Sequence, residues 1–126
     1  MNLELIYQGQ YWGIYGVLYQ GRCQVREFIE GLEEQDKKQS VLLLTQRGDK
    51  YQIHNEQLFR HVGDNIFELK TRNGVRFFCF FGLDRALILT HGLFKPKPKQ
   101  FKTERQKALA IYKVYKKDSE KIKKKN

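Results

Sequence analysis

Hydrophobic and polar positions change period several times along the chain, and each change marks an element. Between residues 3 and 19 aromatic and aliphatic side chains are interrupted by Gly9, Gly13 and Gly16. This reads as extended chain, with residues 14–19 the better strand. From Gln24 the period turns helical: Val25, Phe28, Ile29 and Leu32 fall at i, i+3, i+4 and i+7, and Gly31 with Glu33 leaves room for a break. A second helix is predicted over residues 35–47, with its apolar positions in 41–44 and Gly48 to end it. The two would form a helical hairpin. Residues 49–64 show no clear period, and Leu58, Phe59 and Val62 are their candidate core positions.

Three strands follow. Residues 66–72 alternate, with Phe67, Leu69 and Thr71 on one face and Glu68, Lys70 and Arg72 on the other. Asn73-Gly74 suits the positive φ angles of a tight hairpin, so residues 76–81 form the return strand. After a turn at 82–85, residues 86–95 make a third strand whose Leu87, Leu89, His91, Leu93 and Lys95 share one face. Pro96 and Pro98 donate no ladder hydrogen bonds, so the chain should leave the sheet there. Thr103 with Gln106 resembles a capping box, and Ala108, Ile111, Tyr112 and Tyr115 form a last helical stripe. The expected fold class is α+β, a small antiparallel sheet packed against an N-terminal helical hairpin and a C-terminal helix. A chain of 126 residues fits one domain, placed at 1–117, with a Lys-rich tail over 118–126.

Charge sharpens this picture by its location. Residues 1–94 hold 11 basic and 11 acidic side chains, whereas residues 95–126 hold 13 basic and 3 acidic, so the formal net charge of +10 belongs to the C-terminal quarter. Such a block attracts polyanions, nucleic acid first among them, with an acidic protein or anionic membrane behind it. For residues 121–125 alone, a solvated tail that aids solubility explains the lysines. Cys23 and Cys79 lack CxxC partners, which gives no support to zinc, redox chemistry or a disulfide. The first residues lack a signal-peptide pattern, and no apolar run approaches the roughly 18 residues of a membrane span. A cytoplasmic protein is expected.

The segments IFELKTRNGVRFFCFF and LILTHGLFKPKPK, followed by a basic helix, resemble the RelE/ParE toxin superfamily, in particular its HigB-like, phage-derived branch. The likeness covers roughly residues 22–117. Phe67-Glu68-Leu69-Lys70, residues 76–81 and residues 89–95 match the branch's three motifs in order. Lys70 stands where an arginine is usual and loses its planar bidentate fork. Cys79 stands where an aromatic hydroxyl is common, and the twin lysines are spread over Lys95, Lys97 and Lys99.

The resemblance implies the toxin of a type II toxin-antitoxin pair: a metal-independent endoribonuclease cutting mRNA on the ribosome, with no small-molecule cofactor. It implies as partner a helix-turn-helix antitoxin of the HigA-like kind. In that chemistry the 2′-hydroxyl attacks the neighbouring phosphorus, so the site must move a proton and stabilise developing charge. Lys70, Arg76 and Lys95 suit the phosphate, His91 suits acid or base work, and Glu68 is a further candidate base. Arg72, Lys97, Lys99 and Lys102 would hold the RNA backbone. Each residue also has a plainer reading. His91 among strand leucines fits a buried structural histidine as well, the Glu68 and Lys70 side fits a solvated face, and Cys79 reads as core. A strict two-residue turn at Asn73-Gly74 would put Arg76 opposite Thr71 and away from Lys70, whereas a longer loop or a bulge would reverse this. Two other functions stay open: a non-catalytic toxin that inhibits a protein such as DNA gyrase, and a basic nucleic-acid-binding module without chemistry.

Overall fold

The computed structural model describes residues 1–125, with side chains through Glu120; the side chains of the Lys-rich terminus, 121–126, lie outside the described residues. Strands come first. β1 (Asn2–Gln8) and β2 (Gly13–Tyr19) form an antiparallel hairpin, and the two-residue β3 (Arg22–Cys23) leads into α1 (Gln24–Glu30) and α2 (Glu34–Asp49). A short edge strand β4 (Phe59–His61) precedes β5 (Phe67–Lys70), β6 (Val75–Phe81) and β7 (Ala86–Phe94), and α3 (Pro98–Lys125) closes the chain.

The helical hairpin is therefore not N-terminal, and the sheet is neither small nor wholly antiparallel. Its strands run β1-β2-β7-β6-β5-β4, with β3 beside β2, and β2 pairs β7 in parallel from Gly13↔Ala86 to Gly16↔Leu89. The aromatic, glycine-broken opening segment was legible as extended chain. Its second strand gains a partner more than 70 positions later, which no local period records.

Alternation along the strands divides the core into two layers. Leu69, Phe77, Cys79, Leu87 and Leu89 pack with Leu43 and Leu44 of α2 and Val25 of α1. Ile66, Phe78, Phe80 and Ile88 point the other way and meet Ala108, Ile111 and Tyr112 of α3. Phe77, Phe78 and Phe80 are fully buried, and truncating one such ring to alanine costs about 3–5 kcal/mol.

The C-terminal end of α2 is tied to the β1–β2 turn by backbone. Gly48 O accepts from the N–H groups of Tyr11 and Trp12 at 2.9 and 3.0 Å. The Asp49 carboxylate accepts from Tyr7 OH and from the N–H of Gln10. A Cβ on Gly9 would lie 2.2 Å from the Gly48 carbonyl carbon, so this approach admits only glycine. It also lays Trp12 beside Arg47.

α3 starts five residues before the Thr103 start read from the sequence. Proline is tolerated in a first helical turn, and the Phe101 N–H already donates to Lys97 O at 2.8 Å. Thr103 is thus inside the helix, its hydroxyl donating to Lys99 O at 3.2 Å rather than capping an end. The same helix runs through the boundary drawn at residue 117, and Asp118 pairs with the N-terminal ammonium at 2.8 Å. Among the described residues, no helix is long and apolar enough to cross a membrane.

Candidate functional site

Register decides which side chains meet on the α3 side of the sheet. Thr71 N–H donates to Val75 O, and Gly74, at φ +100°, donates to Thr71 O, which makes a three-residue loop of Arg72, Asn73 and Gly74. A two-residue turn is thereby excluded. Lys70 faces Arg76 and Glu68 faces Phe78, so Arg76 shares the side of Lys70 and Glu68.

A second irregularity brings in His91. Pairing runs Phe78↔His91 and then Cys79↔Leu89, leaving Thr90 as an extra residue in β7. The bulge separates positions that simple alternation put together. Leu87 and Leu89 face α1 and α2, whereas His91 and Leu93 face α3, and their expected common face is corrected accordingly.

Two adjacent rows of side chains result. One holds Lys70, Arg76 and Leu93; the other holds Arg60, Glu68, Phe78 and His91, each on its own strand. Neighbouring strands lie about 4.8 Å apart, which sets His91 roughly 10 Å from Glu68 with Phe78 between them.

Glu68 is 1% exposed and occupied at both oxygens. Arg60 Nε donates to Oε1 at 3.0 Å, and Arg76 Nη1 donates to Oε2 at 3.1 Å. In this arrangement Glu68 positions two guanidinium groups, and its lone pairs are engaged rather than free for a base. Two cations around one anion leave net positive charge. Phe101 of α3 lies above them, its ring 5.5 Å from the Arg76 guanidinium, 5.9 Å from that of Arg60 and 5.1 Å from the Phe78 ring.

His91 is buried at 6% exposure. Its Nδ1 lies 2.9 Å from Thr90 Oγ1, which also reaches Phe78 O at 3.3 Å. Glu104 Oε2 is 2.9 Å from His91 Nε2, at ion-pair distance but off the line of a good hydrogen bond, and Lys107 Nζ is 3.4 Å from the same oxygen. Burial pushes the imidazole below its ordinary pKa; Glu104 opposes this and Lys107 adds to it. The net downward shift keeps His91 neutral at neutral pH, the form that accepts a proton. A groove of about 1200 Å³ between α3 and β2, bordered by Val17, Phe28 and Ile111, reaches His91 and Glu104.

The remaining candidates gather at the β5–β6 turn or on the approach to α3. Lys70 is half-buried and meets no carboxylate among the described residues. Lys95, at φ +47°, donates its N–H to Gly74 O at 2.9 Å and lays its stem across that glycine. Its ammonium, 5.2 Å from the Phe94 ring, is beside the turn rather than beside His91. Arg72 and Lys97 are exposed. Lys99 and Lys102, which precede the helix start expected at Thr103, stand exposed on the first turns of α3. Cys79 faces the opposite layer, where burial pushes its thiol pKa up.

Arg60, Phe101 and Glu104 were missed by sequence reasoning. Arg60 lies on a three-residue strand, too short for a period. Glu104 did carry a signal, as the sole acidic residue between positions 95 and 117. Chemically, the face offers guanidinium and ammonium groups for a phosphate and a neutral imidazole for a proton. The first two turns of α3 cover both.

A comparison with curated proteins gave no match. The profile described as "Phage derived protein Gp49-like (DUF891)" matches residues 27–125, from α1 to the end of α3. That family is of the RelE/HigB toxin type. The β-bulge, the three-residue turn and the basic α3 all lie within the matched region, and the chain belongs to the Gp49-like family of phage-derived proteins.

Proposed function

We propose that the protein is a HigB-like toxin of a type II toxin-antitoxin pair and cleaves mRNA, with the ribosome presenting the substrate. The observation that carries this reading is the convergence of Lys70, Arg60, Arg76 and His91 on one face of the sheet. Family membership supports the toxin class and leaves the reaction to be argued from the site.

The site suits cleavage by the substrate's own 2′-hydroxyl. Neutral His91 takes the hydroxyl proton as the oxygen attacks phosphorus. Arg76 and Lys70 bind the non-bridging oxygens as negative charge builds on them, where prealigned charges act most strongly. The 5′-oxygen departs, taking a proton from an acid at the site or from water. The route needs no metal. Glu68 keeps the arginines in place, and Arg72, Lys95, Lys97, Lys99 and Lys102 hold the flanking backbone through charge. A helix-turn-helix antitoxin of the HigA-like kind is the proposed partner, covering this basic face.

The test is expression with and without the neighbouring gene product, with RNA 5′ ends mapped during growth arrest. New ends that appear in translated messages, and vanish with His91→Gln or Arg76→Ala, are expected. Arrest with intact messages would reject the nuclease. Gyrase inhibition in that case would assign a protein target, and binding of RNA indifferent to His91 would assign a module without chemistry.

A further inference from the structure

The sheet face opposite His91 carries a buried cation that the proposed cleavage does not use. Arg47, in the last turn of α2, is 1% exposed. Its Nη2 donates to Tyr51 O at 3.2 Å and to Lys50 O at 3.5 Å, while Nε and Nη1 find no acceptor. Among the described residues no carboxylate pairs with it. The charge instead lies 4.8 Å from the Phe59 ring and 5.8 Å from that of Trp12. Burial pushes its pKa below the ordinary arginine value. A guanidinium left in this state is costly, and an apolar residue of similar size would fill the layer without that cost.

A cavity of about 340 Å³ adjoins this group, within the range of small-ligand sites. Arg47, Trp12, Phe59 and Phe81 line it, with Gln52 and His54 at an exposed rim, and no acidic side chain contributes. Its aromatic wall is braced. Trp12 Nε1 donates to Tyr51 O at 3.1 Å, and the Trp12 and Tyr51 rings are 6.3 Å apart at an interplanar angle of 20°.

The three kinds of group ask for one kind of ligand. Flat rings stack on a flat ring, a buried guanidinium takes an anion, and an amide with an imidazole reads the edge of a heterocycle. Inorganic phosphate would leave the rings unused, and a peptide carboxylate would leave the rim unread. The geometry points to a binding site for a nucleoside monophosphate group, with its base against Trp12 and its phosphate toward Arg47. A free nucleotide and the end of an RNA chain share that chemistry. The site lies across the sheet from His91, so it stands or falls apart from the cleavage reading.

Trp12 is the only tryptophan, so its emission reports occupancy. The full chain is titrated with the four nucleoside 5′-monophosphates, the matching nucleosides, inorganic phosphate, a 5′-phosphorylated trinucleotide and a glutamate-rich peptide. Saturable quenching by a monophosphate is expected, with binding about tenfold weaker or more when base or phosphate is missing. Arg47→Met should abolish it. Should that variant not fold, Gln52→Ala and His54→Ala, changed only at the exposed rim, should weaken binding several-fold in a folded protein. Quenching by the trinucleotide with the same dependence assigns the RNA source, and quenching by monomers alone assigns the free nucleotide. No saturable response to any nucleotide, unchanged affinity in the folded variants, or a response to the peptide alone overturns the site.

Discussion

The two faces of the central sheet treat charge in opposite ways. Toward α1 and α2, the strands present Leu69, Phe77, Cys79, Leu87 and Leu89, and the buried charges come from α2: Asp36, which accepts from Asn73 Nδ2, and Arg47, which is met by aromatic rings. Toward α3 the strands themselves present Glu68, Arg76 and His91 among Phe78, Phe80 and Ile88. There each polar group has a partner: Glu68 has two arginines, and the imidazole of His91 lies against Glu104. One face is a scaffold interrupted by a single cation. The other is a polar surface whose apolar part seats the helix that covers it.

If that division holds, core truncation should affect stability most and chemistry least. Phe77→Ala removes a fully buried ring of the α1/α2 layer and should cost about 3–5 kcal/mol, read as a lower urea midpoint. Glu68→Gln should cost less, about 2–3 kcal/mol. It leaves Arg76 facing a neutral amide, but Arg60, at 45% side-chain exposure, recovers water. The comparison breaks if Glu68→Gln proves as stable as the parent protein, because Glu68 would then not organise the arginines.

How much of this was legible in the sequence follows from where the information lies. Alternation from Phe67 to Lys70 gave the correct inner and outer sides of β5, because a strand with one apolar side is fixed by its own residues. The same alternation failed beyond Thr90. A bulge inserts one residue without a local signature, and it moved His91 from the leucine side to the Arg76 side. Arg76 was undecided for a related reason, since Asn73-Gly74 fits both two- and three-residue loops. Pro98 as a first helical residue, rather than a spacer, brought Phe101 and Glu104 over the site. Only tertiary packing shows that.

The next effect is on activity rather than stability. Phe101 lies over Arg60, Arg76 and Phe78, and Glu104 sits against His91, so the start of α3 fills the space a phosphate would need. Phe101→Ala with Glu104→Gln should raise RNA cleavage several-fold while lowering the urea midpoint slightly, because two contacts that hold α3 to this face are lost. Cleavage that drops in parallel with stability would mean that the helix builds the site instead of covering it.

The smallest expected effect separates the faces by pH. Arg47 does not titrate near neutrality, so the α1/α2 side should be indifferent to mild acid. His91 has an ordinary pKa of 6.5, lowered in the folded chain mainly by burial. Between those two values the unfolded chain binds a proton that the folded chain refuses, so stability falls as pH drops through 6.5 and levels off below the folded value. Urea midpoints measured from about pH 8 to about pH 5 should therefore decline less in His91→Gln than in the parent protein. Glu104→Gln removes the carboxylate that supports the imidazolium, while Lys107 stays, so the folded pKa falls further and the decline extends to lower pH. Superimposable pH profiles for the parent protein and His91→Gln would show that the imidazole is solvated in the folded chain, and the α3 face would then be as open as its arginines alone suggest.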